Sequence, residues 1–311
     1  MGNSIANEKG VALACLAAIV SGISVFANSF GVLTIDATAY TFLKNILVAA
    51  ILSSILLVRG NWRELFSLDK RQALMLAFIG VVGGGVAFAL FFSGLAATTG
   101  AAGSFVYRLL FVFAAIIGVV WLKESFSWKK ALGAFAMLGG NFLLLGNAAP
   151  LISAGALLVL GATVLWACEY AVSKKALEGL SATTVAAARM GIGAIVLLAI
   201  LAAQGHIGAM ASITPNSIFW IAVATGFLTL FTTLWYSALK QTSLIGATAA
   251  FTLGGIVSAL LSFAFAGHAL TALQAGGFLL LASGAIFIID FGEMAKAALW
   301  ARQKAFAALK F

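Results

Sequence analysis

Ten stretches of about 20 apolar residues follow one another with short junctions, and each is long enough to cross a bilayer as a helix. They fall at roughly 11–32, 39–58, 73–97, 101–122, 128–147, 151–172, 182–203, 217–239, 244–266 and 270–289. Backbone polar groups find no water in hydrocarbon, so spans of this kind are confined to helices. The expected fold class is an all-α integral membrane protein with ten transmembrane helices. The chain is 63% hydrophobic and 9% charged, against about a quarter charged in soluble domains.

The charges orient the spans. Of the 18 Lys and Arg residues, all but three fall in the N-terminal lead (Lys9), the even-numbered junctions and the C-terminal tail. The junctions hold Arg59, Arg63, Lys70 and Arg71, then Lys123, Lys129 and Lys130, then Lys174 and Lys175, then Lys240. The tail holds Lys296, Arg302, Lys304 and Lys310, and the odd-numbered junctions hold no basic residue. The positive-inside rule places both termini in the cytoplasm. Orientation thus accounts for the net charge of +9, and no nucleic-acid partner is expected. The first apolar run continues past Val20, too long for a signal peptide, and reads as a retained span. Cys15 and Cys168 are isolated within spans and read as packing residues.

The chain repeats itself. At an offset of 144 residues, Phe91-Phe92-Ser93-Gly94-Leu95 falls on Trp235-Tyr236-Ser237-Ala238-Leu239, Gly133 on Gly277 and Gly140 on Gly284. At 145 residues, Lys44 falls on Arg189. Two five-span repeats are expected, 11–147 and 151–290. An odd number of spans inverts one repeat relative to the other, the arrangement used for alternating access around a midplane site. The tail 291–311 interleaves Phe291, Trp300 and Phe306 with basic residues. It reads either as an amphipathic helix on the inner leaflet or as a polar tail.

These features resemble the drug/metabolite transporter superfamily, specifically its EamA-type members. The resemblance covers about 11–290. It rests on the topology, on a Leu-x-Glu turn ending in Glu124 before spaced Gly133, Gly139 and Gly140, and on the basic residue early in spans two and seven. Two departures stand out. Leu109-Leu110-Phe111 and Leu253-Gly254-Gly255 occupy the mid-span positions where the family often has proline. His268 stands where the second repeat's turn carboxylate would be. The resemblance implies a secondary exporter of small amphipathic metabolites, amino acids and aromatic ones among them, in a bacterial inner membrane. It also implies a cavity enclosed by spans one to four and six to nine, with spans five and ten peripheral.

Three cations lie within spans. Arg108 is ~12 Å deep at 1.5 Å per residue, and its repeat mate is Thr252. One reading gives its guanidinium a substrate carboxylate; the other has it snorkel or cap carbonyls of a neighbouring helix. Lys44 and Arg189 lie at equivalent depths and read as gating or ion-pair residues, with Asp36 and Glu169 as candidate partners. Glu169 also reads as a carrier of a coupling proton. The candidate substrate-binding set is Arg108, Tyr107, Asn28, Phe88, Trp166, Tyr170, Tyr236 and Thr252: aromatic walls, hydroxyls and an amide around a cation suit an amphipathic zwitterion.

Signatures of catalysis are missing. There is no HExxH, CxxC, P-loop or GxSxG, and no cofactor or metal is expected. Transport energy would come from an ion gradient, exchange or the substrate gradient. The expected partners are a small-molecule substrate and the bilayer, and a monomer suffices, with a dimer left open. Two rival readings stand beside amino acid export: a different cargo (a drug-like compound or a phosphorylated carrier), and a membrane-embedded enzyme.

Overall fold

The computed structural model describes residues 2–98, 100–145, 153–266 and 271–289. The first half carries α1 (Gly2–Gly31), α2 (Ala37–Val58), α3 (Arg63–Phe66), α4 (Lys70–Phe78), a π-helical segment (Ile79–Val86), α5 (Ala87–Ala96), α6 (Gly100–Arg108), α7 (Leu110–Val120) and α8 (Trp128–Leu145). The second half carries α9 (Ala154–Ala176), α10 (Ala182–Ala203), a 3₁₀ turn (Ile207–Ser212), α11 (Pro215–Gln241), α12 (Leu244–Thr252), α13 (Gly254–Ala266) and α14 (Ala272–Ile289). The tail 291–311, Asp290 and His268 lie outside the described residues.

Eight of these helical stretches are long and apolar enough to cross a membrane. The chain is thus an all-α, multi-pass integral membrane protein. The eight differ from the ten runs expected at two places. At 101–122 the helix is interrupted at Leu109, and the apolar stretch there, Phe105–Val120, is shorter than a full span. At 128–147 the helix α8 begins with Trp128-Lys129-Lys130, so two charges occupy its first turn.

The junctions carry local signals that start and stop the helices. Asp36 accepts from the amides of Thr38 and Ala39 at the start of α2. Ser153, Ser181 and Ser243 cap α9, α10 and α12, and Thr214 with Pro215 at the first helical position opens α11. Short polar side chains here satisfy the orphan amides of a first turn. Two glycines end α2 and α10 in the left-handed region, Gly60 at φ 73° and Gly205 at φ 71°. Beyond them the amides of Asn61 and His206 reach back to the carbonyls of Leu56 and Leu201, closing a Schellman turn at each. The two glycines stand 145 residues apart, the offset that pairs Lys44 with Arg189.

The most extensive helix contacts all cross from one half to the other: α8 with α14, α1 with α11, α2 with α10, α5 with α9, and α1 with α13. Small residues set the closest approach. A side chain at Gly133 would strike the Gly284 carbonyl, and one at Gly140 the Gly277 carbonyl. Without a hydrophobic drive between helices in lipid, such contact through small residues supplies the packing. The outward faces of this pair stay apolar and exposed, Phe135 at 69% and Leu279 at 72%, as befits surfaces that meet lipid.

Candidate functional site

The helices α6–α7 and α12–α13 are each interrupted without a proline. At Leu109 and Leu253 the ladder tightens to i→i−3 bonds, with Leu109 N donating to Val106 O and Leu253 N to Ala250 O. The break positions are 144 residues apart. Carbonyls freed near a break need donors. Asn141 Nδ2 donates to Phe105 O at 3.0 Å, and Arg108 Nη2 donates across to Gly255 O at 3.1 Å. Arg108 Nη1 also approaches Asn141 Oδ1 at 3.5 Å. Arg108 therefore ties the first half's break to the second's. With Thr252 it lines a small cavity of about 40 Å³.

A larger cavity, of about 240 Å³, lies beside it. Asn28, Phe88, Tyr107, Trp166 and Tyr170 line it, joined by Lys44 and Arg189. Its wall extends to Val32 and Leu95, near the ends of α1 and α5. Arg108 and Thr252 are not part of this wall, and neither is Tyr236, which is fully buried behind it. Tyr107 faces both cavities.

The π-helical segment shapes one side. Its wider turns leave carbonyls for side chains to claim. Trp166 Nε1 donates to Gly83 O at 2.9 Å and Asn45 Nδ2 to Gly84 O at 3.3 Å. Held this way, Trp166 packs against Phe88, Phe91 and Tyr107 with ring centroids 5.1–5.4 Å apart. Pinned aromatic rings give the cavity a rigid apolar wall.

The two cations on the wall have different surroundings. Arg189 Nε sits 3.3 Å from Glu169 Oε2. The other Glu169 oxygen accepts from Ser173 Oγ at 2.5 Å and from Tyr236 OH at 2.8 Å. Lys44 has no such carboxylate among the described residues. The Asp36 partner considered from the sequence is spent elsewhere: it caps α2 and meets His206 Nδ1 at 3.2 Å. Lys44 Nζ instead donates to Asn28 Oδ1 at 3.3 Å and lies 4.7 Å from the Phe92 ring centre, 5.2 Å from Tyr40 and 5.7 Å from Phe88. Arg189 reaches the same Phe88 ring at 5.2 Å. At the 145-residue offset, Glu169 corresponds to Ser24 and Ser173 to Asn28. The first half thus repeats the cluster with a serine in place of the carboxylate.

The end of the bundle remote from Val32 and Leu95 is laced by bonds between helices. Glu124 accepts from the first two amides of α12, Leu244 N at 2.6 Å and Ile245 N at 3.0 Å. Lys174 Nζ donates to the carbonyls of Leu239 and Thr242 at the end of α11. Lys240 Nζ donates to Leu180 O, and Glu64 accepts from Ser181 N and Thr184 Oγ1 at the start of α10. The acidic groups meet helix N-termini and Lys174 meets the carbonyl end of α11, in accord with the helix dipole, while Lys240 holds the turn before α10. The sequence reading named Glu124 as part of a turn but not this capping role. It also left Phe231 and Leu228 out of the cavity, which they line.

Comparison with known proteins supplies the family. A sequence profile described as "EamA-like transporter family" matches residues 8–146 and again residues 153–290. Among curated proteins, none matches significantly. A solved structure described as "Crystal structure of protein" has the same fold, with a TM-score of 0.70 and 18% identity over 90% of this chain and 96% of the other.

Proposed function

Since the chain belongs to the EamA-like transporter family, and is a membrane transporter of small metabolites rather than an enzyme, we propose that it is a ten-helix secondary exporter of a small amphipathic carboxylate. Amino acids, aromatic ones included, are the substrate class the family likeness suggests. The two halves act as inverted repeats, with both termini in the cytoplasm of a bacterial inner membrane. Paired features at offsets of 144 and 145 residues support the repeat: the helix breaks at Leu109 and Leu253, and the left-handed glycines Gly60 and Gly205. The helix contacts are reciprocal as well: α1 meets α11 as α9 meets α5, and α2 meets α10, its own counterpart.

One observation carries the substrate reading. Lys44 is a buried ammonium, 2% exposed, that faces an aromatic-walled cavity with no carboxylate partner among the described residues. A buried cation is costly unless a counter-charge meets it, and the substrate's carboxylate is that counter-charge. Arg108 serves instead as a strut between the two helix breaks. The cavity volume of about 240 Å³ falls below the ~300–1,000 Å³ of sites for drug-sized molecules, which favours a small metabolite over a drug-like compound. Alternating access exchanges the present state, closed by the lacing at the Glu124 end, for one in which those bonds part.

Counterflow in proteoliposomes, with a panel of labelled amino acids and their carboxylate analogues, tests this. At least one aromatic carboxylate exchanges, and Lys44→Gln lowers its rate at least tenfold. If correctly inserted protein exchanges none of the panel, the reading is lost.

A further inference from the structure

The wall of the large cavity is chemically one-sided. Its described lining residues include two cations and no Asp or Glu. Glu169 stands behind it, with one oxygen taken by Arg189 and the other by Ser173 and Tyr236. Arg189 thus has a carboxylate of its own, and Lys44 is the basic side chain on the wall without one among the described residues.

Several acceptors on the wall already carry a donor, beside the hydroxyls of Ser21, Tyr107 and Tyr170 that also line it. Asn28 Oδ1 accepts from Lys44 Nζ and from Tyr40 OH, and Ser24 Oγ accepts from Asn28 Nδ2. The exposed carbonyls of the π-helical segment accept from Trp166 and Asn45. Aromatic faces also attract cations, but Phe88 already has both Lys44 and Arg189 over its ring, and Phe92 has Lys44. A substrate ammonium would approach two basic side chains with no Asp or Glu among the described residues of the wall.

The repeat supplies independent support. The second half provides its own carboxylate for its cation, Glu169 for Arg189. The first half has Ser24 at the equivalent position, one helical turn from Asn28 and itself on the cavity wall. The missing carboxylate is the one place in the duplicated cluster that a ligand would fill.

We propose that the preferred substrate is a monoanionic carboxylate with an apolar, aromatic-sized body and no ammonium group, its carboxylate held by Lys44 and its body by Phe88, Phe91, Trp166 and Tyr107. This rests on the carboxylate-transport reading above and narrows it. It sets an arylalkanoate ahead of the corresponding amino acid, because the α-ammonium meets no Asp or Glu among the described residues of the wall, stands near two basic side chains and loses its hydration.

Three probes differing only in charged groups test it: 3-phenylpropionate, phenylalanine and phenethylamine. The measurement is thermal stabilisation of the purified full-length protein across a concentration series, since a ligand that binds the folded state raises its stability by mass action. Phenylpropionate should give half-maximal stabilisation at a concentration at least tenfold lower than phenylalanine, and phenethylamine should give none. Lys44→Gln should abolish the phenylpropionate effect while Lys44→Arg keeps it. Equal or tighter binding of phenylalanine overturns the proposal while leaving a carboxylate transporter standing. Binding of phenethylamine, or full phenylpropionate affinity in Lys44→Gln, overturns it as well. If none of the three binds wild-type protein, and none exchanges in proteoliposomes, the broader reading falls with it. The wild-type series decides between the probes even if the glutamine variant does not fold.

Discussion

Lys44 and Arg189 occupy equivalent positions in the two halves and are equally buried, each 2% exposed. One is neutralised by its own half of the protein and the other is not. Arg189 has Glu169, itself held by Ser173 and Tyr236. Lys44 has an amide oxygen and the faces of three aromatic rings. A duplicated cluster carries Glu169 in one half against Ser24 in the other, and that divergence separates a buried ion pair from a basic side chain without a carboxylate partner among the described residues. A symmetric scaffold thereby gains a polar end and an apolar end within a single cavity.

The largest effect is expected from removing the carboxylate of the paired half. Glu169→Gln leaves Arg189 buried and uncompensated, a change that costs ~3–5 kcal/mol where a buried pair is broken on one side. Thermal unfolding in detergent should show a large drop in Tm, and a Tm within a degree of wild type would mean that Arg189 has other support. Next is the reverse experiment, which makes the first half resemble the second. Ser24→Glu places a carboxylate within reach of Lys44, one turn along α1. The expected result is a folded protein with unchanged or higher Tm and carboxylate counterflow reduced at least tenfold. Undiminished transport would show that Lys44 does not meet the substrate.

The smallest effect is expected at Arg108. Its bonds to Gly255 O and Asn141 are of the interhelical kind that contributes ~0.6–1.7 kcal/mol in membrane bundles. Arg108→Gln should slow counterflow modestly, with the order of preference among substrates unchanged. A switch in that order would return Arg108 to the binding site.

Much of the fold was legible because bilayer thickness imposes a length on each span and lysines and arginines mark one side. Depth in the membrane follows from counting residues, so Lys44, Arg108 and Arg189 were all placed within spans. The direction in which each points around its helix was not legible. In a helix apolar on every face, no stripe distinguishes the side facing protein from the side facing lipid. That is why Arg108, the deepest asymmetry in the sequence, was grouped with a cavity it does not line, and Tyr236 with it. Asn28, Phe88, Tyr107, Trp166 and Tyr170 were legible as aromatic and polar groups at similar depth, and they do meet. The breaks at Leu109 and Leu253 fall at the mid-span positions where the family often has proline, but no proline announces them here, because they are made by a local shift to i→i−3 bonding. Glu124 was visible as a turn residue, but its partners, the amides of Leu244 and Ile245, lie 120 and 121 residues further on.

That last separation has a consequence for how the protein is made. The ribosome delivers the first half, with Glu124 and the apolar face of α1, well before α12 or α11 exists. Every extensive helix contact crosses between the halves, so the early spans wait in the bilayer with lipid against surfaces that will later be protein. The newborn first half is thus a set of inserted but unassembled helices, and α12 arrives as the piece whose two leading amides give Glu124 its partner. Co-expression of the halves as separate chains, 1–150 and 151–311, should therefore yield assembled protein, while either chain alone remains a substrate for membrane quality-control proteases.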